Sequence, residues 1–363
     1  MKLIKNRLRI NCTIFIYGVF WIIFNSCDTA SYKSVEVSFL NQKDNIKLVG
    51  TLTIPKVDKK VPAVLLIQGS GPHNRDEEIL GFKPFETIAN YLSKRGIAVL
   101  RVDRRGCGKS EGVYLELDID NFVEDAIYGV DFLKSYPNID THKIGLIGHS
   151  LGGLIAPLAA SQTNDVAFII SCAGPGIWGN DMLFSQNSLY AELSGVKPEN
   201  YKDIKRLCDR RYDLIMNDSL SEEEINEFSQ IYIKLSEYVT DDLRRMFFSL
   251  QANQAYSFFR APQFKKAMEI DPVLAWENVR CPVLAINGSK DFQTAADINL
   301  EGIRKGLTEG GNTHFKIIKL QNYNHLFQKT NYGNPIEYGK LKEPFSPIVL
   351  NLMTDWIISL DKK

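Results

Sequence analysis

Residues 143–152 read Lys143-Ile144-Gly145-Leu146-Ile147-Gly148-His149-Ser150-Leu151-Gly152. An apolar run, Ile144 to Ile147, meets a Gly-x-Ser-x-Gly turn, and a helix-forming stretch follows from Gly153 to about Ser161. The pattern alone is short, and its setting gives it meaning. A sharp turn from a buried strand into a helix holds a serine hydroxyl up out of a sheet. Glycines on either side let neighbouring chain pass without clashing Cβ atoms. The helix N-terminus behind the turn offers backbone N–H groups and a positive dipole end. Ser150 is therefore the candidate nucleophile.

The same alternation extends in both directions. Val61 to Gln68 and Ile97 to Val102 are nearly continuous apolar runs, as strands buried on both faces require. Phe85 to Lys94 reads as a helix, and 120–135 carries Phe122, Ala126, Val130 and Leu133 at helical spacing. Val166 to Cys172 is a further buried strand. Strand-helix alternation of this kind implies right-handed crossovers and a mostly parallel sheet. Residues 35–40 and 48–54 precede it as two strands joined by a polar turn. From 177 to 275 the alternation stops and the sequence is helical, with a capping box at Ser221-Glu222-Glu223-Glu224. Strands resume at Cys281 to Asn287 and Phe315 to Leu320. The expected division is a core over 34–176 and 276–361, with 177–275 as a helical cap acting as a lid at the carboxyl edge of the sheet, where ligands bind.

A serine hydroxyl needs a base in hydrogen-bond reach. The chain has five histidines. His149 is the variable residue of the turn. His142 and His314 precede strands, at the wrong edge of the sheet. His73 lies in the loop after Val61–Gln68, near the expected oxyanion site. His325 follows the last strand and is the candidate base. Asp291, just past Cys281–Asn287, is the candidate acid that orients it, in the order Ser…Asp…His. Asp291 is equally suited to closing the turn before the helix that begins near Thr294, and Asp297, expected inside that helix, is its rival. The oxyanion donors are expected to be Leu151 N–H and Ser70 N–H, with Gly69 or Gly71 as alternatives to Ser70. Tyr190, Phe247, Phe248, Tyr256, Phe258 and Phe259 are cap aromatics that either line a pocket or pack the cap.

Composition excludes other classes. Lys and Arg together number 43, as do Asp and Glu, so no basic excess marks a nucleic-acid binder. Gly106-Cys107-Gly108-Lys109-Ser110 lacks the glycine that a phosphate loop needs at 103, where Asp stands. Cys107, Cys172, Cys208 and Cys281 have neither the spacing nor the His partners of a metal site, and no disulfide is expected among them. Arg101, Arg104 and Arg105 are expected to form structural ion pairs. Residues 1–27 have a basic start, an apolar run from Ile10 to Phe24 and then Asn25-Ser26-Cys27, the layout of a secretory signal. Cys27 resembles the lipidated cysteine of a bacterial lipoprotein. An uncleaved anchor, or a plain signal with an incidental cysteine, is the alternative. The expected location is extracytoplasmic and membrane-attached.

These residues resemble the α/β-hydrolase superfamily, and more narrowly bacterial exported esterases related to serine aminopeptidases and dienelactone hydrolases. The resemblance runs from about 34 to 361. It includes Leu65-Leu66-Ile67-Gln68-Gly69-Ser70-Gly71-Pro72 with Asn74-Arg75-Asp76, the stretch Arg101 to Gly112, Asn324-His325-Leu326-Phe327-Gln328, and the tail from Phe345 to Trp356. It implies an eight-stranded, mostly parallel sheet with helices on both faces and a helical cap. It also implies hydrolysis of small-molecule carboxylic esters through Ser150, His325 and Asp291, without metal or cofactor. Two positions depart from the pattern. Leu151 stands where close relatives often carry Glu, and Gln68 where many hydrolases have His. A peptidase or an acyltransferase would use the same triad. An aminopeptidase would further need a carboxylate in the cap, for which the Glu222–Glu224 cluster is the available candidate. A lipid-anchored binding module with a dead site is the rival from another class.

Overall fold

The computed structural model describes residues 31–360. Residues 1–27, expected to be a signal segment, and Cys27 with them, lie outside the described residues. Eight strands form one sheet: β1 (Tyr32–Asn41), β2 (Ile46–Pro55), β3 (Val61–Ile67), β4 (Ala98–Val102), β5 (Ile139–His149), β6 (Phe168–Cys172), β7 (Val283–Gly288) and β8 (Phe315–Leu320). Their order is β1-β2-β4-β3-β5-β6-β7-β8. The β1–β2 and β2–β4 pairs are antiparallel, and every other pair is parallel. The expected mostly parallel, eight-stranded sheet is present, and its first two strands form an antiparallel hairpin at one edge.

Among the described residues, twelve α-helices accompany the sheet. The first three are α1 (Pro84–Ser93), α2 (Ile119–Ser135) and α3 (Gly152–Ala160). Six follow in the insert: α4 (Gly179–Leu193), α5 (Tyr201–Met216), α6 (Glu222–Glu237), α7 (Asp241–Phe247), α8 (Ala252–Phe259) and α9 (Pro262–Met268). The last are α10 (Pro272–Glu277), α11 (Ala296–Glu309) and α12 (Pro347–Ser359).

The period-2 side-chain alternation of the strands sorts the core into two layers. On β3, Ala63, Leu65 and Ile67 belong to the layer that also holds apolar residues of α2, α3 and α11, whereas Val64 and Leu66 belong to the layer with Phe85, Ile88 and Leu92 of α1 and Val349, Leu350 and Met353 of α12. Both faces are thereby covered, which is why these strands read as unbroken apolar runs. The insert has a core of its own, built on Ile204, Cys208, Phe228 and Leu235. Its helix α6 starts at the capping box read from the sequence, with Ser221 and Glu224 bonded reciprocally. Trp276 of α10, at the end of the insert, is buried with the α3 and α11 layer of the core.

One placement differs from expectation. His142 lies inside β5 rather than before it, because β5 extends back to Ile139, paired with Val61 across a register shift. Its side chain is exposed, and with His314 it lines a depression away from Ser150. Cys107, Cys172, Cys208 and Cys281 are free.

Candidate active site

Strand β5 lies inside the sheet between β3 and β6, and Ser150 follows its last residue. Ser150 adopts φ +52°, in the left-handed region. Such a conformation costs a non-glycine residue about 1–3 kcal/mol and persists only where the surroundings impose it. They do so here. Ser150 N–H donates to Cys172 O at 2.9 Å, tying the turn to the end of β6. A Cβ on Gly148 would stand 2.1 Å from Gly152 O, and one on Gly152 would stand 2.1 Å from Ile67 O. Both glycines of the motif are therefore required by backbone passing close to backbone.

Asp291 and His325 meet across 34 residues of sequence. His325 Nδ1 donates to Asp291 Oδ2 at 2.8 Å, and both side chains are buried. The other carboxylate oxygen, Oδ1, accepts from Gln293 N–H and Thr294 N–H, each at 2.8 Å. Asp291 thus both closes its own turn and holds the imidazole. With Nδ1 carrying the proton, the Nε2 lone pair is the free one. Ser150 and His325 line one cavity of roughly 610 Å³ under the insert. Asp297 is exposed on α11, and both of its oxygens accept from Lys319 Nζ at 2.8 Å, so it takes no part in the site.

The loop after β3 supplies N–H groups near the same serine. Gly69 N–H donates to Glu77 Oε1 at 2.5 Å, which removes it from the candidate oxyanion donors. Among the described residues, Ser70 N–H and Leu151 N–H donate to no backbone or side-chain acceptor. Arg104 fixes this loop from below. Its guanidinium donates to Gly71 O at 2.7 Å and Gln68 O at 2.9 Å and stacks 4.6 Å over the Phe122 ring. Arg101 pairs with Asp76, and Arg105 with Asp44 and Asp125, as expected of structural ion pairs. Arg104 departs from that expectation: carbonyl oxygens and an aromatic face take the place of a carboxylate.

A second buried pair lies beside the candidate triad. His149 Nδ1 donates to Glu77 Oε1 at 3.0 Å, and His149 Nε2 donates to the backbone carbonyl of His325 at 3.1 Å. Both ring nitrogens face acceptors, so the ring carries both protons. Burial pushes the His149 pKa down, but the Glu77 charge and hydrogen bond outweigh it and hold it above the ordinary histidine value. Burial likewise pushes the Glu77 carboxyl up, and attraction and hydrogen bonding from His149 outweigh it, leaving it below the ordinary glutamate value. Glu77 itself sits at φ +49°. His73 lines the cavity with Nε2 donating to Ser70 O at 2.7 Å, and burial lowers its pKa.

Sequence reasoning missed Glu77, Arg104 and His149 as a framework. Glu77 sits in Asn74-Arg75-Asp76-Glu77-Glu78, which reads as a solvated polar loop. The signal available was the excess of charge directly after a buried strand, and it does not tell which acid turns inward. Of the cap aromatics, Tyr190, Phe247, Phe248, Phe258 and Phe259 line the cavity, whereas Tyr256 packs edge-on against Phe228 in the insert's core. Glu222 and Glu223 are exposed, and Glu224 is engaged in the helix cap. No cluster of three or more candidate metal ligands occurs among the described residues.

Comparison with known proteins agrees with this architecture. The family model described as serine aminopeptidase, S33, matches residues 82–295. Esterase EstD of Thermotoga maritima is 29% identical over 315 residues, 86% of this chain and 65% of its own length. The chain therefore spans just under two thirds of that relative, and 41% and 40% of two fungal relatives matched over shorter stretches. Among solved structures, the α/β-hydrolase GrgF from a Penicillium species aligns with TM-score 0.54 and 18% identity, over 90% of this chain and 98% of its own. Est1E from Butyrivibrio proteoclasticus, with ferulic acid bound, aligns with TM-score 0.52 and 20% identity, over 88% and 98%. These two likenesses show the fold. With the family match spanning more than half of the sequence, the chain belongs to the serine aminopeptidase S33 family of the α/β-hydrolase superfamily.

Proposed function

We propose that this protein is a serine carboxylesterase that works through an acyl-enzyme. The observation that carries the reading is the joint presence, on one cavity, of Ser150 in a left-handed turn and of His325 with its Nδ1 proton held by Asp291. In the proposed reaction His325 Nε2 takes the Ser150 proton as Oγ bonds to the ester carbonyl carbon. The oxyanion accepts hydrogen bonds from Leu151 N–H and Ser70 N–H. The C–O bond to the alcohol breaks, and the alcohol leaves with the proton from His325. Water then attacks the acyl-enzyme, gives its proton to His325, and the carboxylic acid departs as Ser150 recovers its hydrogen. Asp291 stays ionised throughout and stabilises the transient imidazolium.

The esterase reading is preferred to an aminopeptidase on the lining of the cavity. Among the described residues Glu77 is the one acidic side chain there; its Oε1 is held by His149 and Gly69, and its Oε2 has no partner but is buried from the cavity's solvent. An N-terminal amine would find no exposed carboxylate. The name of EstD is in keeping with ester hydrolysis. Turnover of p-nitrophenyl acyl esters against aminoacyl anilides tests the choice. Ester hydrolysis with inert anilides is expected, and the reverse would replace the esterase by a peptidase. The reading of residues 1–27 as a lipoprotein signal adds attachment at Cys27 to an extracytoplasmic membrane face.

A further inference from the structure

Four buried or half-buried guanidiniums of the core each have partners. Arg75 is bonded to Asp103, Arg101 to Asp76, Arg105 to Asp44 and Asp125, and Arg104 to two carbonyls. Arg211 is the exception. It lies on the inner face of α5 in the insert, is 2% exposed, and lines the same cavity as Ser150. No ion pair or side-chain hydrogen bond holds its guanidinium among the described residues, and its Nε is buried without a partner. Its nearest compensation is the face of the Phe259 ring, 5.3 Å from the guanidinium carbon.

An isolated buried cation is costly, and proteins pair such charges or neutralise them. Neutralisation is closed to Arg, which stays protonated, although burial lowers its pKa. The ionisable groups that act on it are Cys208 and Tyr232. Both are neutral at neutral pH, since burial pushes the Cys208 thiol up to about 11 and raises the Tyr232 hydroxyl as well. The missing counter-charge is thus left to whatever fills the cavity. A single cation between aromatic walls suits one negative charge on a planar group, which its fork of N–H donors engages side by side. A dianionic phosphate would leave a second charge unmet.

We propose that Arg211 binds a substrate carboxylate, and that the preferred esters carry a free carboxylate at the end remote from the scissile bond. This rests on the esterase reading of Ser150 and adds the substrate class to it.

The test pairs carboxylated with neutral esters of equal length: mono-p-nitrophenyl adipate and suberate against p-nitrophenyl hexanoate and octanoate for the acyl side, and 4-carboxyphenyl butyrate against phenyl butyrate for the alcohol side. The readout is the ratio of kcat/KM, carboxylated over neutral, in wild type, Arg211→Lys and Arg211→Met. Wild type is expected to favour the carboxylated member of one series by about 10–100-fold, the usual scale for a desolvated charge pair. Arg211→Met should abolish that ratio, and Arg211→Lys should keep part of it. A wild type with no preference in either series overturns the proposal, whether or not the variants fold. So does a ratio that survives in folded Arg211→Met. If no ester of either kind is turned over, the esterase reading has failed and the site is judged by binding. Calorimetry of monomethyl adipate with Ser150→Ala should then give heat that is lost in Ser150→Ala/Arg211→Met, and no heat, or heat retained in the double variant, would dismiss the carboxylate site too.

Discussion

Glu77 Oε1 accepts hydrogen bonds from both Gly69 N–H and His149 Nδ1, so one buried carboxylate joins the loop after β3 to the turn that carries Ser150. The far nitrogen of His149 continues the link to the carbonyl of His325. A single charged pair thus holds the three segments that the proposed acyl transfer needs in register.

Replacing Glu77 by Gln should therefore loosen all three together. Breaking one partner of a buried pair costs about 3–5 kcal/mol. Denaturant unfolding is expected to give a loss of that order, with kcat falling more than KM rises. Full stability with lowered activity would assign Glu77 to the chemistry rather than to the framework.

The same pair sets a pH window. His149 is raised in the folded state, so its contribution is complete below its ordinary value of 6.5 and is lost as pH climbs through the folded value. Glu77 is lowered, so its contribution is complete above its ordinary value of 4.5 and is lost as pH falls through the folded value. The stability gap between wild type and Glu77→Gln should be widest between 4.5 and 6.5 and narrow on both sides. Melting temperatures of both proteins across pH 4–9 measure it. A gap that is flat with pH would mean that the pair is not ionised in the fold.

Arg104 acts on the proposed oxyanion loop through two carbonyls, so Arg104→Met should leave Gln68 O unpaired and Gly71 O with His73 N–H alone. Losing an oxyanion donor outright costs about 10²–10³ in kcat. A loosened loop should cost less, about 10–100-fold. Steady-state kinetics on a p-nitrophenyl ester would reveal it, and an unchanged kcat would show that the loop holds its shape alone.

Asp291→Asn keeps the turn contacts at Oδ1 but takes the charge from beside His325 Nδ1. A fall in kcat of about 10³–10⁴, with the fold and KM nearly kept, is the expected outcome. A fall below tenfold would move the acid role elsewhere.

Cys27→Ser tests the proposed lipoprotein signal. Incorporation of labelled palmitate by wild type expressed in a bacterial host, lost in Cys27→Ser, is expected. Equal labelling of both would exclude Cys27 as the acceptor.

The sheet was legible because strands buried on both faces leave unbroken apolar runs such as Val61–Ile67, and because Gly148 and Gly152 are each forced by a backbone atom 2.1 Å from any Cβ. Asp291 and His325 could be read from their places after β7 and β8. Glu77, Arg104 and Arg211 could not. Each is a charged side chain in a locally polar stretch, and its inward turn is decided by distant partners: His149 for Glu77, Gln68 and Gly71 for Arg104, an aromatic cavity for Arg211. His142 was misplaced by the register shift near Val61, which no local pattern announces.

The central claim is that Ser150 forms the acyl-enzyme. Intact-protein mass spectrometry after treatment with a fluorophosphonate, on wild type and on Ser150→Ala, tests it most directly. One adduct per wild-type chain, mapped to Ser150 and absent from folded Ser150→Ala together with ester turnover, is the predicted result. A folded, unlabelled wild type, or an adduct and turnover that persist in Ser150→Ala, would contradict it.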